Sequence, residues 1–145
     1  MKKPLVVGFY GESNTGKTTV IARIIKKLTE ENFSVASIKN TDKKITIDQK
    51  GKDTWKHAKA GAKLVILKTE CETDYLFKKK QSTKEIIQNI SNYDSYDIIL
   101  IEGANDKETL KIRFGDIKER KNTIYTYDND FQKLYNLIKG MIKNG

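Results

Sequence analysis

The sequence predicts an α/β domain with a mostly parallel sheet, because short apolar runs alternate along it with amphipathic helical segments. The first apolar run, Leu5–Tyr10, leads directly into the stretch Gly11-Glu12-Ser13-Asn14-Thr15-Gly16-Lys17-Thr18-Thr19, which matches the pattern GxxxxGK[ST]. A helical pattern follows, so this stretch lies between a strand and a helix. Together these observations predict the three-layer fold of P-loop nucleoside triphosphatases.

The next elements follow from the spacing of apolar residues. A helix is predicted over Lys17–Glu31, where apolar residues recur on one helical face, and Asn32 is expected to end it. Imperfect alternation over Phe33–Lys39 predicts a second strand. The low apolar content of Asn40–Lys52 predicts a loop, and loops that follow strands often have functional roles in such folds.

The middle of the chain is predicted to contain one short helix and two strands. Asp53 is placed to cap the N-terminus of a helix that runs through Ala60. Leu64–Leu67 is a continuous apolar run, which is typical of a strand covered on both faces. Tyr75–Phe77 is predicted to be a short edge strand.

The C-terminal part repeats the alternation of helices and strands. The predicted elements are a helix after the capping-box pattern Ser82-Thr83-Lys84-Glu85, strands over Asp97–Glu102, Leu110–Phe114 and Asn122–Tyr127, and a final helix from Asp128 or Asp130 to about Ile142.

Length, charge and cysteine content limit the possible classes of protein. A chain of 145 residues is expected to form one domain, residues 1–145. The net charge of +9 favours phosphate-rich ligands, but the lysines are scattered without interleaved aromatic residues, so no nucleic-acid partner is predicted. With a single cysteine, no signal peptide and no apolar stretch that would span a bilayer, we expect a cytoplasmic protein without a membrane partner.

The P-loop residues have a definite chemistry. Gly11 and Gly16 let the backbone curl without Cβ clashes, so that successive N–H groups point at phosphate oxygens. Lys17 is expected to reach the β- and γ-phosphates, and the Thr18 hydroxyl is expected to be one ligand of Mg²⁺. The positive N-terminal end of the following helix adds to the attraction for phosphate. The sequence therefore predicts a site for a nucleoside triphosphate.

The position of Glu102 distinguishes it from the other carboxylate of its strand, Asp97. Ligands of open α/β sheets bind beyond the carboxyl ends of the strands, where Glu102 lies. Asp97 lies at the opposite end, about 16 Å away at about 3.3 Å per residue, and is predicted to be structural. Glu102 is therefore the candidate Walker-B-type carboxylate, which would accept a metal-bound water or orient the attacking one.

A set of further motifs resembles a known family. It comprises Lys39-Asn40, Asp48-Gln49-Lys50-Gly51-Lys52-Asp53-Thr54, Ala60-Gly61-Ala62, Glu102-Gly103 and Lys111-Ile112. With the P-loop, these residues make the chain from 4 to about 114 similar to the molybdopterin-guanine-dinucleotide biosynthesis protein B family. The DxxGKD[ST]…AGA combination behind a P-loop is the discriminating part. The chain departs from the family pattern at Asn40, where a histidine is usual.

The resemblance implies a GTP-binding accessory factor, often dimeric, with slow GTPase activity, that assists attachment of a guanine nucleotide to molybdopterin. It implies that the P-loop residues Gly11–Thr19 bind the phosphates, with Lys17 acting in catalysis, and that Thr18 binds Mg²⁺. It further implies that Asp53 and Glu102 belong to the metal and water shell and act in hydrolysis. A protein partner and a possible homodimer follow from the same resemblance.

The residues alone leave the base and the reaction open. The NKxD motif that reads guanine in many GTPases is not present, since Lys39-Asn40-Thr41-Asp42 has its first two residues reversed. One alternative is a small-molecule or nucleoside kinase that uses ATP, for which Lys78-Lys79-Lys80 is the one candidate lid. A regulatory nucleotide-binding module without turnover is another alternative.

Overall fold

The computed structural model describes residues 2–145, which form two compact units. The first unit combines the chain up to Thr41 with Thr83–Gly145, and the second is Asp42–Ser82. Among residues 2–145, no helix has the length and apolar character needed to cross a lipid bilayer. The elements in chain order are β1 (Leu5–Gly11), α1 (Lys17–Glu30), β2 (Val35–Lys39), α2 (Asp53–Lys59), β3 (Leu64–Lys68), β4 (Thr73–Phe77), α3 (Thr83–Tyr93), β5 (Ile98–Glu102), β6 (Leu110–Phe114), β7 (Thr123–Thr126) and α4 (Phe131–Asn144).

The first unit is built on a five-stranded sheet in the order β2-β5-β1-β6-β7. Every neighbouring pair of strands in it is parallel. Parallel strands need cover on both faces, and Ile98, Ile99, Leu100 and Ile101 of β5 are accordingly at most 1% exposed. The predicted mostly parallel α/β sheet is confirmed.

Helices pack against both faces of this sheet. On one face, Ile24 of α1 and Leu134 of α4 belong to the same apolar cluster as the strands. On the other face, Ile99 and Ile101 pack with Ile87 of α3. The three predicted layers are therefore present.

The ends of two helices follow the local signals in the sequence. After α1, Asn32 adopts the left-handed conformation with φ 67°, in agreement with its predicted role as a stop. At α4 the side chain of Asp130 accepts a hydrogen bond from the backbone N–H of Lys133 at 3.1 Å, so Asp130 rather than Asp128 is the cap.

The second unit contains α2 and an antiparallel hairpin of β3 and β4. The prediction that Leu64–Leu67 is covered on both faces is wrong, because Leu64, Ile66 and Leu67 are 41%, 49% and 42% exposed. Val65, on the face opposite Leu64 and Ile66, is buried. A continuous apolar run has the right composition for a buried strand, but nothing in the run specifies how many neighbours will cover it.

The start of α2 differs by one position from the prediction. Lys52 is the residue that precedes the helix, and Asp53 is its first residue, so Asp53 does not cap it. Its carboxylate lies in the first turn, where the positive end of the helix still favours a negative charge.

A buried lysine joins two loops of the first unit. Lys111 of β6 is fully buried, and its ammonium donates hydrogen bonds to the carbonyl oxygens of Thr109 at 2.9 Å and Lys121 at 2.8 Å. Each of these oxygens belongs to a different connection, one before β6 and one after it. The ammonium therefore links the two connections, and its hydrogen bonds offset the cost of burying the charge.

Arg120 also links the connections before and after β6. The guanidinium of Arg120 donates to the carbonyl oxygen of Ala104 at 2.6 Å and lies 4.7 Å from the centroid of the Tyr10 ring. The backbone N–H of Arg120 donates to the Tyr10 hydroxyl at 2.9 Å, and that hydroxyl also shares a hydrogen bond with Thr123. The loops 103–109 and 115–122 are thus tied to each other and to β1.

Candidate functional site

The order of the strands brings three chain segments to one edge of the sheet. β5 lies between β2 and β1, so the carboxyl ends of β2 and β5 lie beside the P-loop that follows β1. A cleft of about 470 Å³ opens there, a size within the usual range for small-molecule sites. It is lined by Ser13, Asn14, Gly16, Lys17, Thr18, Thr19, Lys39 and Glu102.

Glycine is needed at positions 11 and 16 of the P-loop for different structural reasons. A Cβ at Gly11 would collide with the carbonyl oxygen of Phe114 on the neighbouring strand, and Gly11 has φ 152°. Gly16 has φ 82°, and a Cβ there would meet nothing within 4 Å. Gly11 thus permits a close approach of strands, whereas Gly16 permits the left-handed turn into α1 beside open space.

Side chains of the P-loop bind its own backbone carbonyls. The ammonium of Lys17 donates to the carbonyl oxygens of Gly11 at 3.0 Å and Glu12 at 2.9 Å. The hydroxyl of Thr15 donates to the carbonyl oxygen of Glu12 at 2.8 Å. These bonds fix the curl of the loop and hold the ammonium of Lys17 over the cleft.

Glu102 is the centre of the polar network in the cleft. Its carboxylate accepts hydrogen bonds from the Thr18 hydroxyl at 3.0 and 3.1 Å, and it forms an ion pair with the ammonium of Lys39. Burial raises the pKa of Glu102, but the hydrogen bonds from Lys39 and Thr18 and the charges of Lys39 and Lys17 outweigh it. The net pKa lies below its ordinary value, so Glu102 is ionised at neutral pH.

The dipeptides Lys39-Asn40 and Glu102-Gly103, at the carboxyl ends of neighbouring strands, are hydrogen-bonded to each other beside this network. The backbone N–H of Asn40 donates to the Glu102 carbonyl oxygen at 2.8 Å, and its side-chain amide donates to the Gly103 carbonyl oxygen at 3.0 Å. Gly103 has φ 87°, and a Cβ there would collide with the carbonyl oxygen of Asn40. Lys39-Asn40 and Glu102-Gly103 therefore act together, Asn40 fixing the backbone while Lys39 pairs with the carboxylate.

The sequence-predicted residues are brought together in part. Lys17, Thr18 and Glu102 line one cleft. Asp53 is an exposed residue of the second unit, and its place in a metal shell stays a prediction. Asp97 lies at the other end of β5, where its carboxylate accepts a hydrogen bond from the backbone N–H of Ser34 at 2.7 Å, a structural role as expected.

Lys39 is the site residue that sequence reasoning missed as a functional group. Both Lys39 and Glu102 were visible as charged residues at the ends of apolar strands. Their pairing depends on β2 and β5 being neighbours with Lys39 in register with Glu102, and 63 positions separate the two residues in the sequence. No local sequence pattern predicts which two strands become neighbours in the sheet.

The second unit has its own buried carboxylate. The side chain of Asp48 is 2% exposed, and it accepts a hydrogen bond from Thr54 at 2.8 Å and pairs with Lys78 at 2.9 Å. Hydrogen bonds from Lys78 and Thr54 hold the pKa of Asp48 below its ordinary value. The basic group at the start of the Lys78–Lys80 run is thus committed to Asp48, which weakens the lid required by the kinase alternative.

The donor set in the cleft fits Mg²⁺ and a triphosphate. The Thr18 hydroxyl and the Glu102 carboxylate are adjacent oxygen donors of the kind that Mg²⁺ prefers. Among residues 2–145, no group of three or more His, Cys, Asp or Glu side chains could hold a metal ion. A Mg²⁺ ion that is bound mainly by phosphate oxygens and water needs only one or two protein ligands such as Thr18 and Glu102.

The fold and the site together define a class of protein. A parallel α/β sheet whose first strand leads into GxxxxGK[ST], with that motif lining a cleft beside a strand-end carboxylate, is a P-loop domain. Within this class, the chain belongs to the family described as Molybdopterin guanine dinucleotide synthesis protein B (MobB), whose model matches residues 6–138. The family named by the resemblance is confirmed.

Relatives match about three quarters of this chain. A Methanocaldococcus jannaschii protein is 36% identical over 106 residues, which are 73% of this chain and 42% of that protein. The molybdopterin-guanine dinucleotide biosynthesis adapter protein of Haemophilus influenzae is 27% identical over 74% of this chain and 61% of its own. The corresponding adapter protein of Escherichia coli is 27% identical over 74% of this chain and 63% of its own. The matched region thus spans only 42% to 63% of these relatives.

Solved structures agree with the fold. The crystal structure of Bacillus subtilis MobB has a TM-score of 0.73 at 18% identity, with 94% of this chain and 96% of that chain covered. A MobB protein homolog from Bacillus stearothermophilus has a TM-score of 0.66 at 10% identity, with 97% and 99% covered. At such identities the likeness establishes the fold alone.

Proposed function

We propose that this chain binds GTP and Mg²⁺, hydrolyses GTP slowly, and acts as an accessory protein in molybdopterin guanine dinucleotide biosynthesis. The observation that carries the proposal is the grouping of Lys17, Thr18 and Glu102 around one cleft beside the P-loop. Family membership supports the choice of pathway and of guanine.

Each residue has a role in this proposal. Backbone N–H groups of Gly11–Thr19 bind the phosphates, and Lys17 neutralises the charge of the β- and γ-phosphates. Thr18 and Glu102 hold Mg²⁺, which supplies positive charge to the phosphate oxygens when bound. The ionised Glu102 also orients water for attack, and we retain Asp53 as a further member of this shell on the resemblance alone.

Slow hydrolysis is proposed because the arginines have structural partners. Arg23 lies 3.8 Å from the centroid of the Phe131 ring, and Arg113 donates to the Ile117 carbonyl oxygen at 3.1 Å. Arg120 ties two loops, as described above. An arginine at the transition state contributes about 10³ to 10⁵ in rate, so turnover of the isolated chain is expected far below about 1 per second. Phosphate release should fall further in Glu102→Gln.

Calorimetric titration of the purified chain tests nucleotide binding. We expect GTP to bind at least about tenfold more tightly than ATP, a difference of about 1.4 kcal/mol that one or two hydrogen bonds to guanine supply. Lys17→Ala should abolish GTP binding with an unchanged circular dichroism spectrum. Lys26→Ala is the matched control, because Lys26 is an exposed lysine further along α1.

Two results would contradict this proposal. Wild-type affinity in Lys17→Ala would exclude the P-loop as the phosphate site. Equal affinities for GTP and ATP would favour the small-molecule kinase that uses ATP.

We also propose a homodimer and a protein partner. One face of the β3–β4 hairpin exposes Leu64, Ile66, Tyr75 and Phe77 by 39% to 50%, and an isolated two-stranded hairpin is marginally stable without further cover. A second copy of the chain would cover this face. Sedimentation velocity should show a dimer that Ile66→Lys converts to a monomer, whereas Ile124→Lys, at an exposed position of β7, should leave it unchanged. A wild-type monomer at all concentrations would refute the dimer.

A further inference from the structure

Lys39 stands where the strand ends meet the P-loop. It is the last residue of β2, and its register partner Glu102 is the last residue of β5. Because β5 neighbours β1 and all three strands are parallel, Lys39 lines the same cleft as Lys17 and Thr18. The cleft therefore has two ammonium groups, and one of them lies outside the P-loop motif.

The ion pair of Lys39 leaves its ammonium accessible. The side chain of Lys39 is 68% exposed, whereas that of Glu102 is 12% exposed. An ammonium has three N–H donors, and the described hydrogen bonds of Lys39 use one of them, on Glu102. Two donors are thus available to an anion in the cleft. Lys17 differs, since two carbonyl oxygens of the P-loop occupy its ammonium.

We propose that Lys39 is a catalytic residue that binds the terminal phosphate of the nucleotide; this rests on the nucleotide function proposed above. In hydrolysis a water oxygen bonds to the γ-phosphorus, and the bond from that phosphorus to the β–γ bridging oxygen breaks. The electron pair leaves with the β-phosphate of GDP, and one water proton passes to the inorganic phosphate. Lys39 stabilises the negative charge of the γ-phosphate oxygens during this step as one ammonium, without the bidentate hydrogen bonds of an arginine.

If Lys39 served only as the ionic partner of Glu102, its removal would have a different effect on nucleotide binding. If Lys39 only neutralised Glu102, its loss would affect triphosphate and diphosphate binding alike, through the altered carboxylate. A contact with the terminal phosphate concerns the triphosphate alone. The ratio of the two affinities therefore separates the two roles.

The experiment measures dissociation constants for GDP and for the GTP analogue with a β–γ imido bridge, both with Mg²⁺. In Lys39→Ala we expect the analogue to bind about tenfold to hundredfold more weakly, the effect of one charge-assisted hydrogen bond, and GDP to bind within about twofold of wild type. Lys39→Arg keeps the charge and should retain the preference for the triphosphate. Lys26→Ala is again the matched control and should change neither affinity.

A second background tests whether Glu102 transmits the effect. In the Glu102→Gln background, Lys39→Ala should still weaken binding of the analogue relative to GDP, because the phosphate contact does not depend on the carboxylate. Equal losses for the two nucleotides, or a Lys39→Ala defect that disappears in the Glu102→Gln background, would overturn the proposal.

The inference and the proposed function fail in different ways. If wild-type protein binds neither the analogue nor GDP, the nucleotide function is wrong and the role of Lys39 falls with it. If wild-type protein binds both and Lys39→Ala leaves their ratio unchanged, the nucleotide function stands and the inference about Lys39 is wrong.

Discussion

Glu102 keeps a negative charge at a position that is largely closed to water, and neighbouring groups decide whether it can do so. Burial alone would raise its pKa, and the hydrogen bonds from Lys39 and Thr18 are the main opposing influences. Because the pKa of the folded state lies below the ordinary 4.5, the carboxylate stabilises the fold above about pH 4.5. That stabilisation is lost as the pH falls through the lowered pKa.

Lys39→Ala should therefore raise the pKa of Glu102, since burial remains while the strongest opposing hydrogen bond is removed. Titration of the glutamate carboxyl carbons by NMR measures this directly. Glu31 provides an internal control, because hydrogen bonds from Lys139 and Tyr135 lower its pKa independently of the cleft. A Glu102 pKa that does not move would show that Lys39 has no influence on the carboxylate.

The ends of β2 and β5 behave as one structural element, because Gly103 lets the Asn40 carbonyl approach. Gly103→Ala should destabilise the chain by about 1–3 kcal/mol, since the new Cβ meets that oxygen and φ 87° is strained for alanine. Denaturant unfolding measures the change. Gly140→Ala in α4 should instead stabilise the chain by about 0.5–1 kcal/mol, because its Cβ meets nothing within 4 Å. Equal changes in the free energy of unfolding for the two variants would contradict the close packing of Gly103 against Asn40.

The elements also show how far the sequence alone could reach. The P-loop was predictable because its residues are contiguous and each serves a local geometric need, as Gly16 does in the turn into α1. The strand predicted over Asp97–Glu102 forms as β5 and its isoleucines and leucine are buried, whereas three of the four residues of Leu64–Leu67, equally apolar, are exposed in a hairpin. The difference lies in which elements surround each run, and that is decided by distant parts of the chain. The pairing of Lys39 with Glu102 was out of reach for the same reason.

At the scale of the whole molecule, the chain is divided into two compact units. Asp48 is a buried carboxylate of the second unit, and Lys78 and Thr54 lower its pKa. Its contribution to stability is present above its ordinary pKa of 3.8 and is lost as the pH falls below about 4.

Asp48→Asn should therefore increase hydrogen exchange within Asp42–Ser82 at pH 7, because Lys78 loses its ionic partner. Exchange in the strands of the first unit should not change. On acidification through the lowered pKa of Asp48, the wild type should approach the variant, since protonation of Asp48 removes the same charge. Uniformly faster exchange over both units would contradict this division of stability.

The hydrogen bonds made by Lys111 and Arg120 stiffen the connections that follow β5 and β6. Ala104 follows Glu102 by two positions, and its carbonyl oxygen accepts a hydrogen bond from Arg120. The connection from β5 to β6 is therefore held to the loop 115–122. The end of β2 is held as well, because Asn40 donates hydrogen bonds to the carbonyl oxygens of Glu102 and Gly103, and the side chains of Thr18 and Lys39 both bind the Glu102 carboxylate. We therefore expect the ends of β2 and β5 and the loops 103–109 and 115–122 to keep their positions when a ligand binds. A partner that bound the loops 103–109 and 115–122 would then meet the same surface with and without a ligand in the cleft.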